Sequence, residues 1–268
     1  MGDLIYRLLL FLNSSKSNDI NYNIALTMLK NIKSISDMSI NKLADICYTS
    51  PAAITRFCHK LGYSNFIQFK ENIKTYIDHY SIGLMKPNAI SYDLSREAML
   101  SNMASEIIME VEGLKNFLDL KIVDRVVELI YSHSNVCLFG TQFAQLMAQE
   151  LQRKLANLSK ITYHRSDVQE QERLADNLDE NSLVILLSPT GQFTLYHERL
   201  WTKIKKSPAT VVVITDNNKP EYEKRSDYII YLPNYSTNED YIQRHRYDLS
   251  YLVEYIYLRY GNLYCKNT

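Results

Sequence analysis

The features missing from this 268-residue chain narrow its chemistry before any motif is read. Its four cysteines, Cys47, Cys58, Cys137 and Cys265, stand far apart, with no CxxC pair. That spacing fits reduced, buried thiols in a cytosolic protein and excludes a disulfide framework. The six histidines form no HxxxH or HxH pair, so no metal site and no cofactor are expected. Long apolar runs are missing as well. The opening stretch "LIYRLLLFL" (4–12) carries Arg7 and falls far short of the roughly 20 residues of a membrane helix. No basic segment precedes it, which argues against a signal peptide and leaves a cytoplasmic location with no membrane partner as the expectation. Net charge is also lacking: 30 Lys and Arg balance 30 Asp and Glu, so the chain has no bulk electrostatic signature of a nucleic-acid binder. No internal repeat is visible.

What is present describes a globular protein long enough for two domains, with 46% hydrophobic residues and 22% charged. The charge is unevenly spread. Residues 1–79 hold nine Lys and Arg against six Asp and Glu, and residues 80–268 hold 21 against 24. Tyrosine is abundant (21 residues), concentrated after residue 228, and is assigned no site. The first 80 residues read as consecutive helices. Asp19 precedes "INYNIALTMLKNI", Ser39 caps "INKLADIC", and Ser50 caps the next helix with Pro51 in its first position. Gly62 ends that helix, and "SNFIQFKENIKTYI" resumes the pattern. The stretch 80–95, with Gly, Pro, Asn and Ser and no clean period, reads as a linker.

Two helices are expected near 96–118 and 121–132. After them, β-branched runs at 135–140, 161–164, 182–188, 209–215 and 228–233 alternate with helical stretches at 143–157, 168–178 and 192–206. That order implies a parallel sheet covered on both faces. A Tyr- and Leu-rich helix near 240–261 closes the chain, offering Leu249, Leu252, Val253, Ile256 and Leu258 either to the sheet or to a second copy. The expected division is 1–79, a linker at 80–95, and 96–268.

Within 49–62, Ile54, Phe57, Cys58 and Leu61 follow core spacing and leave Ala52, Ala53, Thr55, Arg56, His59 and Lys60 outside. Taken alone, this is an ordinary surface helix with a solvated face. Its neighbours change the reading: a short capped helix, the turn "YTS", and a second capped helix with small residues in its first turn make a helix-turn-helix pattern. Small side chains at Ala52 and Ala53 let the helix N-terminus approach a groove. Thr55, Arg56 and His59 then reach base edges, with Arg able to pair bidentately with guanine. Lys42, Lys60 and Lys70 would be sequence-blind phosphate contacts.

The stretch "MSINKLADICYTSPAAITRFCHKLGYSNFIQFK" (38–70) resembles the N-terminal domain of the RpiR family of bacterial transcriptional regulators. The resemblance runs through Ser39–Ile40, Leu43–Ala44, Ser50, Ala52, Arg56–Phe57, Lys60–Leu61–Gly62 and Phe66, with Ala53 and Ile54 where Thr and Val are usual. It implies an all-α helix-turn-helix domain binding double-stranded DNA. It also implies a C-terminal sugar isomerase (SIS) domain, a flavodoxin-like αβα sandwich with a five-stranded parallel sheet that binds phosphosugars.

In open parallel sheets ligands sit beyond the carboxyl ends of the strands. Two loops are therefore candidates, "FGTQFA" after the first strand and "SPTGQF" after the third. The second resembles the SIS phosphate-binding stretch through Ser188, Thr190 and Gly191, with Gln192 following and Phe193 where Thr is expected. The first departs further: Gly140, Thr141, Gln142, Phe143 and Ala144 stand where the pattern has a second glycine and a serine. Three readings follow: a DNA-binding regulator modulated by a phosphosugar, a regulator whose SIS domain has lost its ligand and only dimerises, and a sugar-phosphate isomerase. The isomerase needs a positioned base, and Glu170, Glu172, His164 and His197 fall in no assignable motif, so no catalytic residue is named. One short helix-turn-helix binds weakly alone, so a homodimer or homotetramer is expected.

Overall fold

The computed structural model describes residues 3–14, 19–81, 95–216, 220–234 and 246–265. The chain divides into two compact units, Met1–Lys86 and Pro87–Thr268. The division falls in the stretch read as a linker, most of which (82–94) lies outside the described residues.

The first unit is helical: α1 (Asp3–Ser14), α2 (Ile20–Lys30), a 3-10 turn (Ile35–Asp37), α3 (Ile40–Ile46), α4 (Pro51–Lys60) and α5 (Phe66–Ser81). Three of these starts are set by side-chain caps. Asp19 accepts from Asn21 N, Ser39 from Lys42 N, and Ser50 from Ala53 N; each satisfies a donor that the first helical turn would leave unpaired. The helices close on one core built from Leu4, Leu8, Met28, Leu43, Phe57 and Phe69, among others. Arg7, the charge interrupting the apolar opening run, donates to the Leu61 carbonyl at the end of α4. It lies so close to Gly62 that a Cβ there would meet its Nη1 at 3.0 Å.

The second unit is α/β. Helices α6 (Arg96–Phe117) and α7 (Leu120–Ser132) lead into five strands: β1 (Asn135–Phe139), β2 (Tyr163–His164), β3 (Ser182–Leu187), β4 (Thr210–Thr215) and β5 (Tyr228–Tyr231). All pairs are parallel, in the order β2-β1-β3-β4-β5. That is the flavodoxin-like order, whose reversal of direction lies between β1 and β3. The two-residue alternation of the strands separates two cores. Val136, Leu138, Leu183, Ile185, Val212 and Ile214 face α7, α8 (Phe143–Asn157) and α13 (Tyr247–Tyr264). Cys137, Phe139, Val184, Leu186, Val211 and Val213 face α9 (Val168–Ala175), α10 (Phe193–Tyr196), α11 (Glu198–Lys206) and α12 (Pro220–Glu223). The result is an αβα sandwich.

Several elements differ from the sequence expectation. The helix expected over 192–206 is two pieces, broken at His197, whose backbone (φ −132, ψ 46) leaves the helical region. The strand expected at 161–164 keeps only two residues, because glutamines of α8 take the flanking carbonyls: Gln152 Nε2 donates to Thr162 O and Gln145 Nε2 to Ser166 O, each at 2.7 Å. The last helix begins at Tyr247, and its expected start at 240–245 lies outside the described residues. Leu249, Leu252, Val253 and Ile256 are buried against the sheet, so these four are core of their own domain rather than a surface for a second copy. Cys47, Cys58 and Cys137 are buried, and burial pushes their thiols up to about 11, 12 and 12 respectively. Among the described residues no helix is long and apolar enough to cross a membrane, and no cluster of His, Cys, Asp or Glu could hold a metal ion.

Candidate DNA-reading helix and effector crevice

α3 and α4 meet through a tight turn at Tyr48–Ser50, and their apolar stripes share one core. The side of α4 away from that core carries exposed Pro51, Ala52, Arg56, His59 and Lys60, with Thr55 half-buried. Arg56 makes no hydrogen bond or ion pair among the described residues, so its guanidinium fork is open to a partner. Lys42 is exposed on α3. Ala53 is a correction: expected on the outer face, it is buried, because its position beside Ile54 and Phe57 turns its methyl toward the core.

Two more outer residues are already engaged. Thr55 Oγ1 donates back to Pro51 O at 3.1 Å, and His59 Nε2 donates to the Ser64 carbonyl at 2.9 Å. Lys60 reaches Asn21 Oδ1 at 3.1 Å from an exposed position. Lys70 is half-buried, with its ammonium 5.9 Å from the centroid of the Phe66 ring.

In the second unit the loops after β1 and β3 flank the point where strand order reverses, as the fold requires of a ligand crevice. Gly140 is needed where it stands, since a Cβ would meet the backbone C and O of Ala144 at 3.0 Å. Its amide group is held from the far side by the buried Gln171, whose Oε1 accepts from Gly140 N at 3.4 Å and whose Nε2 donates to Gly140 O at 2.9 Å. Thr141 and Gln142 are half-buried. Gln142 has φ 56 and ψ −123, a backbone that favours glycine, at the position where the resemblance expects a second glycine.

The loop after β3 is closed on itself. Gly191 N donates to Ser188 O at 2.8 Å, and Gly191 adopts φ 65. Ser188 is buried; its Oγ lies 2.8 Å from the Tyr222 hydroxyl and accepts from Phe193 N at 3.3 Å. The amides of Gly191 and Phe193 are therefore used inside the loop. Phe193, standing where Thr is expected, packs into the core beside Leu200 and Trp201. Thr190 and Gln192 remain half-buried at its rim.

Gln171 and Tyr222 were not legible as site residues. Tyr222 is fully buried on α12, 34 residues from Ser188, and its ring meets Trp201 edge-on at 5.3 Å. Burial raises its phenol above the usual range, and the Ser188 hydrogen bond opposes that shift. Of the groups weighed as a catalytic base, Glu170 pairs with Arg173 and Glu172 with Arg199, while His164 and His197 are buried.

Comparison with known proteins adds to this geometry. Residues 9–79 match the helix-turn-helix domain of the rpiR family, and residues 129–239 match the SIS domain. A Providencia stuartii protein described as an HTH-type transcriptional regulator in the aarA 3′ region is 23% identical over 230 residues, covering 86% of this chain and 80% of its own. Among solved structures, the Vibrio vulnificus NanR protein complexed with ManNAc-6P aligns with a TM-score of 0.55 at 16% identity, covering 98% of this chain and 93% of that one. The sugar isomerase domain of an RpiR transcription factor from Sphaerobacter thermophilus aligns with a TM-score of 0.51 at 15% identity, covering 61% and 89%. The chain thus joins an rpiR-family helix-turn-helix domain to a SIS domain, the composition of an RpiR-type transcriptional regulator.

Proposed function

We propose that α4 reads operator DNA and that a phosphosugar in the crevice between the β1 and β3 loops modulates that binding. The observation carrying the DNA reading is Arg56, an exposed guanidinium, unpaired among the described residues, on the outer face of a Ser-capped second helix. Pro51 and Ala52 let the helix end approach a groove, while Lys42 and Lys60 suit phosphates. A sugar phosphate in the crevice is supported by the strained Gln142 and by Thr141, Thr190 and Gln192 at the rim; backbone strain of this kind collects at ligand sites. The NanR complex with ManNAc-6P is a relative in fold with such a ligand. Regulation then requires the ligand to favour one of two states of the protein, as a homodimer or homotetramer on DNA.

One observation favours a second reading, in which the SIS domain only dimerises. Ser188 Oγ, Gly140 N, Gly191 N and Phe193 N all have partners inside the domain, so an anion must displace them. A thermal-unfolding series of the purified chain against sugar phosphates separates the two. At 100 times its dissociation constant a ligand adds about 2.7 kcal/mol to stability. The phosphosugar reading predicts a rise in midpoint with one member of the series, lost in Thr190→Ala. Unchanged midpoints across the series favour the dimerisation-only domain.

A further inference from the structure

We propose that Tyr48 is a further DNA-contacting residue whose phenol donates to a backbone phosphate of the duplex bound by α4; this rests on the DNA reading above. Among the described residues three helices end in the same way, with a left-handed residue whose N–H and that of its successor bond back to the last turn. In α4 that residue is Gly62 (φ 87), with Gly62 N on His59 O at 2.9 Å and Tyr63 N on Cys58 O at 3.0 Å. In α8 it is Ser159 (φ 60), with Ser159 N on Ala156 O at 3.0 Å and Lys160 N on Leu155 O at 2.9 Å. In α3 it is Tyr48 (φ 52), with Tyr48 N on Asp45 O at 3.1 Å and Thr49 N on Ala44 O at 3.0 Å. Glycine suits this position because a Cβ crowds the neighbouring carbonyl.

The folded unit draws nothing from the tyrosine ring in return. Tyr48 is 98% exposed, and its hydroxyl has no hydrogen-bond partner among the described residues. A strained backbone carrying a fully solvated aromatic is explained neither by packing nor by the turn. Its place in the chain supplies the explanation. Tyr48 sits in the turn itself, two residues before the Ser50 cap and between the exposed Lys42 and Arg56. Residues 1–79 carry nine Lys and Arg against six Asp and Glu, a balance that favours an anionic partner for the unit as a whole. A neutral O–H donor suits a phosphate oxygen, which tyrosine commonly binds without reading sequence.

Because the contact is sequence-blind, the test uses random-sequence 30-base-pair duplex DNA and the full chain, titrated at several salt concentrations. Tyr48→Gly and Tyr48→Phe are each expected to bind about three- to tenfold more weakly. Their salt dependence should stay that of wild type, since a phenol displaces no counterion, whereas Lys60→Ala should flatten the slope by about one. Tyr48→Gly should also raise the unfolding midpoint of the helical unit by about 2–5 °C, which separates lost contact from lost fold. Wild-type affinity in Tyr48→Gly or Tyr48→Phe, alongside weakened Lys60→Ala, overturns the phosphate contact and spares the DNA reading. Unchanged binding in Lys60→Ala and Arg56→Ala overturns that reading itself. A changed oligomeric state in Tyr48→Gly assigns the ring to a contact between copies and overturns the proposal.

Discussion

Gln142 and Ser188 shape the two loops of the proposed crevice in opposite ways. A glutamine in a glycine backbone conformation costs about 1–3 kcal/mol, and nothing in the sheet requires the side chain there. Gln142→Gly should therefore raise stability by about 1 kcal/mol in urea unfolding; a loss of stability would mean that the glutamine side chain holds the loop. Ser188 acts in the opposite sense. Its hydroxyl stands where a phosphate ligand is expected from the resemblance, yet Tyr222 occupies it from the core side. The sequence around Ser188 shows the first of these facts and hides the second. Gln171 and Tyr222 act on backbone and hydroxyl groups 31 and 34 residues away, and local spacing carries no trace of such pairs.

Among the elements, those with a clean period were legible and those shaped by side-chain bonds were not. Caps at Asp19, Ser39 and Ser50 and the alternation along β3 and β4 could be read directly, because each follows from neighbours within a few residues. The break at His197 and the truncation of β2 could not. β2 yields its carbonyls to Gln145 and Gln152, and these glutamines lie on a different element. The same short strand carries a titrating group. His164 is buried, its Nδ1 is 3.2 Å from Leu138 O, and its Nε2 has no partner among the described residues. Burial holds it below the ordinary value of 6.5, and the Leu138 carbonyl only partly opposes this. Below that pH the unfolded chain takes up a proton that the folded chain refuses, so stability falls on acidification. Urea unfolding at pH 7.5 and 5.5 should show this loss, and His164→Asn should reduce it; an equal loss in the variant would place the titration elsewhere.

For the whole molecule, the two units differ in character: a helical unit with a net positive sequence, and an α/β unit whose proposed crevice lies where strand order reverses. Both fold classes were readable, since capped helices in series and alternating strands and helices each have few packed solutions. The occupant of the proposed crevice was less so, because polar groups of the loops after β1 and β3 turn inward to partners within the domain. Regulation by a ligand depends on this balance. DNA recognition does not, and it is the claim on which the rest stands.

The measurement that tests it most directly is binding of the full chain and of Arg56→Ala to genomic fragments from its host, each competed with random-sequence duplex. The account predicts a fragment bound above the random background by wild type, with about 1–3 kcal/mol of that preference lost in Arg56→Ala. Equal preference in wild type and variant would contradict the assignment of α4 as the reading helix.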